Sequence, residues 1–274
     1  CDPNLKQHGP GYKRNDGKVV GIAIADEHQE IYLPFDHLGG DNIDKRIVLS
    51  YVSNLVKNSS EILFANAAYD LGWLETLGIS VSCPIRDVQI AEALIDEEQF
   101  SYSLNNLSKK YLKRTKFEEK LKEAAYAYDI DPKAEMWKLP ARHVGEYAEM
   151  DARNTWDVYQ YQIPVLQEQG LWTVWELECK LTPVLVHMSM KGVPVNVDKA
   201  DQLNEELKKR EAILKQNFKH LDIWSPPQLA KYVESCGILV PKTEKGNPSV
   251  TKDFLLACDH PKIKLIHEAR SINR

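Results

Sequence analysis

The sequence predicts an α/β region, a mixed sheet flanked by helices, followed by an all-α region. Three observations carry this. Residues 18–25 (K-V-V-G-I-A-I-A) and 31–34 are β-rich and stand at hairpin spacing. Strand and helix signals then alternate through residues 61–95, the order expected of a sheet covered by helices. After Gln169-Gly170 the strand signals stop and helical period takes over. This sets a boundary near residue 170, between regions 1–170 and 171–274.

Residues 1–17 read as a loop, and Asp-Gly before and Asp-Glu-His after bound the first strand. Residues 35–45 form a Gly- and Asp-rich loop with His37 beside Gly39-Gly40. An amphipathic helix covers 47–56. A short buried strand, 61–65, runs into Asn66-Ala67-Ala68-Tyr69-Asp70 and a helix to Leu77. Residues 85–95 start extended and become a helix. Residues 103–128 read as helix, basic at first with Lys109, Lys110, Lys113, Arg114 and Lys116. A helix follows over 141–169, with a bend expected near Pro164. Beyond it, 171–190 is helical around Pro183, K-G-V-P-V-N is a turn, and Asp198 caps a long charged helix. Ser225 is the N-cap of a further helix with Pro226 at its first position. Residues 242–250 form a polar turn bearing Lys242 and Lys245, and 253–258 and 262–272 are helical.

An apolar fraction of 43% supports a real core. The net charge of −5 rules out a global basic field, so nucleic acid would have to be met by local patches or bridging metal ions. Five scattered cysteines, with no CxxC pair, argue against a disulfide framework and against a zinc site. No apolar run approaches the ~20 residues of a membrane span, so a membrane is not an expected partner. The first residue is not Met, and the chain reads as cut from something longer.

Two carboxylates stand out. In V-G-E-Y-A-E-M-D-A-R-N-T, helical period puts Val144, Ala148, Asp151, Thr155 and Val158 on one face, and Glu146, Glu149, Arg153 and Asp157 on the other. Asp151 is the acid in an apolar stripe, and Tyr147 lies one turn before it. Asp70 repeats the pattern, sharing a face with Trp73, Leu74 and Leu77, while Asn66 ends the preceding strand, where α/β folds place ligands. A carboxylate aimed at a core needs a partner or a metal. Either each is a buried structural acid, or the two converge on one crevice. Oxygen-only ligands would select Mg²⁺ or Mn²⁺, and paired ions suit phosphodiester cleavage. The structural alternative for Asn66 is a helix N-cap.

F-A-N-A-A-Y-D-L-G-W-L resembles the second exonuclease motif of family A DNA polymerases, and Y-A-E-M-D-A-R-N-T resembles the third, in its tyrosine-bearing (DEDDy) variant. The opening D-P-N-L-K-Q-H-G-P-G and H-L-G-G-D-N resemble the virus-encoded branch. M-K-G-V-P-V-N, S-P-P-Q-L, K-T-E-K-G-N-P-S-V and E-A-R-S-I-N-R resemble the start of the polymerase module and its thumb. The resemblance implies a ribonuclease-H-like exonuclease domain, then a partial helical thumb. It implies proofreading: removal of nucleotides from DNA 3′ ends with Mg²⁺ (or Mn²⁺) in a two-metal site. Asp151 would bind the tightly held ion, Asp70 the second, Tyr147 the attacking water, and Asn66 would support the substrate. Leu71 and Trp73 could help shape the crevice but read as plain core, and Asp87 of I-R-D-V-Q, which resembles a family Asp on the next strand, reads as structural more than catalytic. The implied partners are a single-stranded DNA 3′ end and, through the thumb, a primer-template duplex, with any processivity factor left open. The setting implied is the cytoplasm of a bacterial or virus-infected cell.

The family's first motif, Asp-x-Glu, has no counterpart here, since Asp96-Glu97-Glu98 stands in the wrong context. The chain is therefore expected to hold half the metal site and to have little exonuclease activity by itself. Two other readings remain: a stand-alone DEDD exoribonuclease of the ribonuclease D type, and a non-catalytic nucleic-acid-binding module. The basic cluster of residues 109–122 reads as a solvated face, because Glu118 and Glu119 interleave. Lys242 and Lys245 are the better candidates for gripping a duplex backbone. His37 could approach a single strand or have no role.

Overall fold

The structure is a computed structural model, and it describes residues 2, 4–114, 118–132 and 134–272. The chain divides into two compact units, 1–192 and 193–274. The division falls one helix beyond residue 170, because the helix that follows Gly170 packs into the first unit.

In the first unit a short helix, α1 (Leu5–His8), and a 3₁₀ turn, Gly11–Lys13, precede the sheet residues, so the expected opening loop is partly helical. Strands β1 (Gly21–Ala25) and β2 (Glu30–Pro34) pair antiparallel, from Gly21 opposite Pro34 to Ala25 opposite Glu30. Asp26 shapes their turn: its carboxylate accepts from the amides of His28 and Gln29, at 2.8 and 2.9 Å. Helix α2 (Lys45–Asn58) is capped by Asp44 and buries Val48, Val52 and Val56, one every fourth residue. Strand β3 (Ile62–Phe64) pairs parallel with β4 (Ile85–Asp87), with α3 (Ala67–Thr76) between them in sequence. Both strand directions expected of a mixed sheet are present, in two two-stranded sheets.

After β4 come α4 (Val88–Ile95) and α5 (Leu104–Leu107), which runs into a π-helical turn, Ser108–Leu112. Lys113 then turns left-handed, at φ 56°, and stops the helix. The continuous helix expected over 103–128 is therefore broken; α6 (Glu119–Ala127) is separate, and Lys116 lies outside the described residues. Helix α7 (Gly145–Glu168) packs against β1, β2, β3 and α4. Its Val158, Tyr159 and Leu166 join Val88, Ala91, Leu107, Trp175 and Cys179 in the main core. Trp175 and Cys179 come from α8 (Trp172–Lys191), which also packs on α3 and β4.

The second unit is helical: α9 (Val197–Gln216), α10 (Pro226–Ser235), α11 (Lys252–Ala257) and α12 (Pro261–Ile272). Leu214, Leu229, Val233, Leu255, Ile263 and Ile266 centre its core. The expected cap, Asp198, sits inside the first turn of α9. Asn196 is the N-cap, its side chain accepting from the Lys199 amide at 2.9 Å, because its extended backbone leaves the oxygen facing the free amides. Ser225 occupies the N-cap of α10 without a side-chain hydrogen bond, and Pro226 takes the first position as expected.

Candidate active site

Helix α7 supplies the first pair. Val144 and Val158 are buried on the face predicted to turn inward, and Asp151 lies half-buried between them in sequence. Tyr147, one turn earlier, lies beside the Asp151 carboxylate. Burial first, then the neighbouring Asp151 carboxylate, push the Tyr147 phenol well above its usual pKa. The phenol is therefore neutral and a donor across the physiological range. Thr155 donates to the Asp151 carbonyl at 2.8 Å.

The opposite face of α7 is not a free solvent face. Glu149 accepts from the Tyr32 amide of β2 at 2.9 Å. Arg153 bridges Glu30 at 2.8 Å and donates to the Asp26 carbonyl at 2.7 Å. These bonds fix the helix to the hairpin and so fix the outlook of Tyr147 and Asp151.

Helix α3 supplies the second acid. Its entry is unusual: Asn66 is left-handed, at φ 75° and ψ 60°, and its side chain caps nothing. Asp87 does the capping. Its carboxylate accepts from the Ala67 amide at 2.6 Å and the Asn66 amide at 3.3 Å, and from Gln89 at 2.8 Å at the start of α4. One buried acid thus closes two helix N-termini. Burial raises its pKa, against the pull of those amides. This supports the structural reading of Asp87 and replaces the N-cap reading of the Asn66 side chain, which is left exposed.

Asp70 lies in the first turn of α3, half-buried and without a hydrogen bond or ion pair among the described residues. Burial, then the charge of Asp87, push its carboxyl up to about 7. Leu71 and Trp73 are core: Leu71 joins Ala67, Ile85 and Val186, and Trp73 meets Tyr12 and Tyr69 edge-on, at 5.8 and 6.2 Å.

The donor set suits a divalent cation in kind. Asp70 and Asp151 offer oxygen ligands, and a cation would relieve the unfavourable ionisation of Asp70. It falls short in number, because the described residues hold no group of three or more His, Cys, Asp or Glu placed to bind a metal ion.

Other expected residues divide clearly. His37 is buried, not poised over a groove. Its Nδ1–H donates to the Leu139 carbonyl at 3.0 Å and its Nε2 accepts from Tyr32 at 2.7 Å. Within the basic cluster, Lys110 pairs with Glu92 and Asp96, Arg114 with Asp157, Lys120 with Glu146 and Lys122 with Glu118, which neutralises most of it. Lys242 and Lys245 are exposed on a turn closed by the Gly246 amide to the Thr243 carbonyl and the Thr243 amide to the Asn247 carbonyl, each at 2.8 Å. Sequence reading missed Glu92. It is fully buried on α4, where burial pushes its pKa up but hydrogen bonds from Lys110, Gln162, Tyr111 and Gln99 hold it below the usual range. An acid inside V-Q-I-A-E-A-L-I gives no local sign of such partners.

The family profile described as 3′–5′ exonuclease of family A DNA polymerases matches residues 8–166, a span that contains Asn66, Asp70, Tyr147 and Asp151. The chain belongs to that family. Among its relatives is a DNA-directed DNA polymerase of Pseudomonas phage M6, 35% identical over all of this chain and 43% of the relative. The DNA polymerase DpoZ of Acinetobacter phage SH-Ab 15497 is 26% identical over 89% of this chain and 43% of its own length. In fold, the chain is similar to the POL domain of Pol1 from M. smegmatis, solved with DNA primer-template and dNTP. The TM-score is 0.72 with 16% identity, over 94% of this chain and 42% of that one. The chain thus spans less than half the length of these relatives. Among the described residues no helix is long and apolar enough to cross a membrane.

Proposed function

We propose that this chain is the proofreading region of a phage DNA polymerase, removing nucleotides from DNA 3′ ends, followed by the first part of the polymerase thumb. The observation that carries the reading is the pairing of Tyr147 with the Asp151 carboxylate one turn away on α7, inside the matched exonuclease span. Asp151 and Asp70 would hold Mg²⁺ or Mn²⁺. Such ions, when bound, supply hydroxide and stabilise the leaving oxygen. Tyr147 stays protonated beside Asp151, so its hydroxyl can orient a water toward the scissile phosphate. Asn66, exposed at the head of α3, would meet the substrate strand. Two carboxylates are too few for tight metal binding, so full activity is expected only where an Asp-x-Glu pair joins them. Lys242 and Lys245 would grip the duplex backbone without reading sequence. The reaction would take place inside the infected cell.

The test uses the polymerase-length protein on a primer with a mispaired 3′ end. Asp151→Ala should abolish excision of the mispaired nucleotide and leave extension of a matched primer intact. Unchanged excision would sink the assignment.

A further inference from the structure

Helix α7 begins without a side-chain cap. Its N-cap position is Val144, which offers no acceptor to the free amides of the first turn. Tyr147, the third residue of the helix, therefore sits in the turn most prone to fray. The first unit holds this turn from outside, through the loop of residues 35–44 between β2 and α2, which takes no part in the proposed chemistry.

The loop is braced from within. Asn42 serves both main-chain groups of His37, accepting from its amide at 2.8 Å and donating to its carbonyl at 2.7 Å. The loop then grips residues 137–142, the lead-in to α7, at successive points. The Leu38 amide donates to the Trp137 carbonyl at 2.8 Å, and the Ala141 amide donates to the Gly40 carbonyl at 3.2 Å. Arg142 pairs with Asp41 at 2.8 Å. Gly39 lies so close that a Cβ there would stand 2.3 Å from the Pro140 nitrogen, and Gly40 turns left-handed at φ 95°. The buried His37 closes the series. As a neutral imidazole it donates to the Leu139 carbonyl at 3.0 Å and accepts from the Tyr32 hydroxyl at 2.7 Å, so both ring nitrogens are used.

Tyr32 joins this grip to the helix itself. Its amide donates to Glu149 at 2.9 Å, and its ring lies beside Gly145, where a Cβ would stand 3.8 Å from a ring carbon. Positions 145 and 149 are one turn apart on one face, so Tyr32 supports the turn that contains Tyr147. Tyr32 and Tyr147 also pack on the same buried cluster of Leu121, Leu139 and Val144.

We propose that the loop of residues 37–41, joined to α7 through His37 and Tyr32, is a clamp that sets the position of Tyr147. His37 and Tyr32 are then positioning residues for excision. The proposal rests on the exonuclease reading above, and it gives the H-L-G-G-D-N stretch a role in the reaction.

The test measures excision of a mispaired 3′ nucleotide by the polymerase-length protein, with kcat and KM resolved. Tyr32→Phe keeps the ring and removes only the hydroxyl. It should lower kcat about tenfold with KM unchanged, because a small displacement of a group that orients the reactants falls on the chemical step. Extension of a matched primer should not change. Gly39→Ala, which pushes the loop off Pro140, should lower kcat in the same way through a different contact. In a Tyr147→Phe background, Tyr32→Phe should change kcat by less than about twofold, because the group it positions is already gone. A further loss of about tenfold in that background would place the action of Tyr32 elsewhere and overturn the proposal. An unchanged kcat in Tyr32→Phe, with Tyr147→Phe impaired, would also overturn it and leave the exonuclease reading standing. Excision that survives both Tyr147→Phe and Asp151→Ala would overturn both.

Discussion

Tyr12 lies against Gly72 so closely that a Cβ at position 72 would fall 2.4 Å from its ring. The pair ties a segment near the start of the chain to the helix that carries Asp70. Gly72→Ala should therefore lift the ring and cost about 1–3 kcal/mol, the usual cost of overpacking. Combining it with Tyr12→Ala should cost less than the sum of the single changes, because the clash is then gone. Urea unfolding of the four proteins checks this.

Asp87 serves two helices, so its removal should act on both. Asp87→Ala leaves the amides of Asn66, Ala67, Gln89 and Ile90 without their acceptor. The expected loss is at least about 2 kcal/mol, more than one ordinary cap contributes. Hydrogen exchange should rise at the heads of α3 and α4 together. A rise confined to α4 would contradict the shared role.

His37 gives a pH dependence with a definite sign. Burial, opposed by the hydrogen bond to Leu139, lowers its pKa from 6.5. The folded state thus takes up the proton less readily than the unfolded one. The stability tied to neutral His37 is present above about 6.5 and is lost as pH falls below it. Between pH 7 and pH 5 the wild-type protein should lose more stability than His37→Gln, read from denaturant midpoints at each pH.

Lys242→Ala with Lys245→Ala, in the polymerase-length protein, should weaken primer-template binding across all sequences. Two lost phosphate contacts should reduce the salt slope by up to about 1.8. The same slope in both proteins would remove the turn from the duplex grip.

Much of this was legible because period and chemistry agreed. The β1–β2 hairpin, the strand–helix–strand run from β3 to β4, and the apolar stripe of α7 each followed from spacing, and Asp70 and Asp151 stood out as acids in apolar stripes. What was hidden depended on distant partners. Glu149 and Arg153 looked like solvent-facing charges because their partners, Tyr32, Glu30 and Asp26, are more than 100 residues away. The capping of α3 was misread for the same reason: the acceptor comes from Asp87, the end of the next strand, not from Asn66. The break at Lys113 was invisible because a lysine in a left-handed conformation carries no local signal.

The most direct measurement is Mg²⁺-dependent digestion of a 5′-labelled single strand by the polymerase-length protein. The products should shorten stepwise from the 3′ end. Asp151→Ala should lose activity, and Tyr147→Phe should lose about 100-fold in kcat with its unfolding midpoint nearly unchanged. Digestion that proceeds equally well in both variants would contradict the claim that α7 carries the reaction.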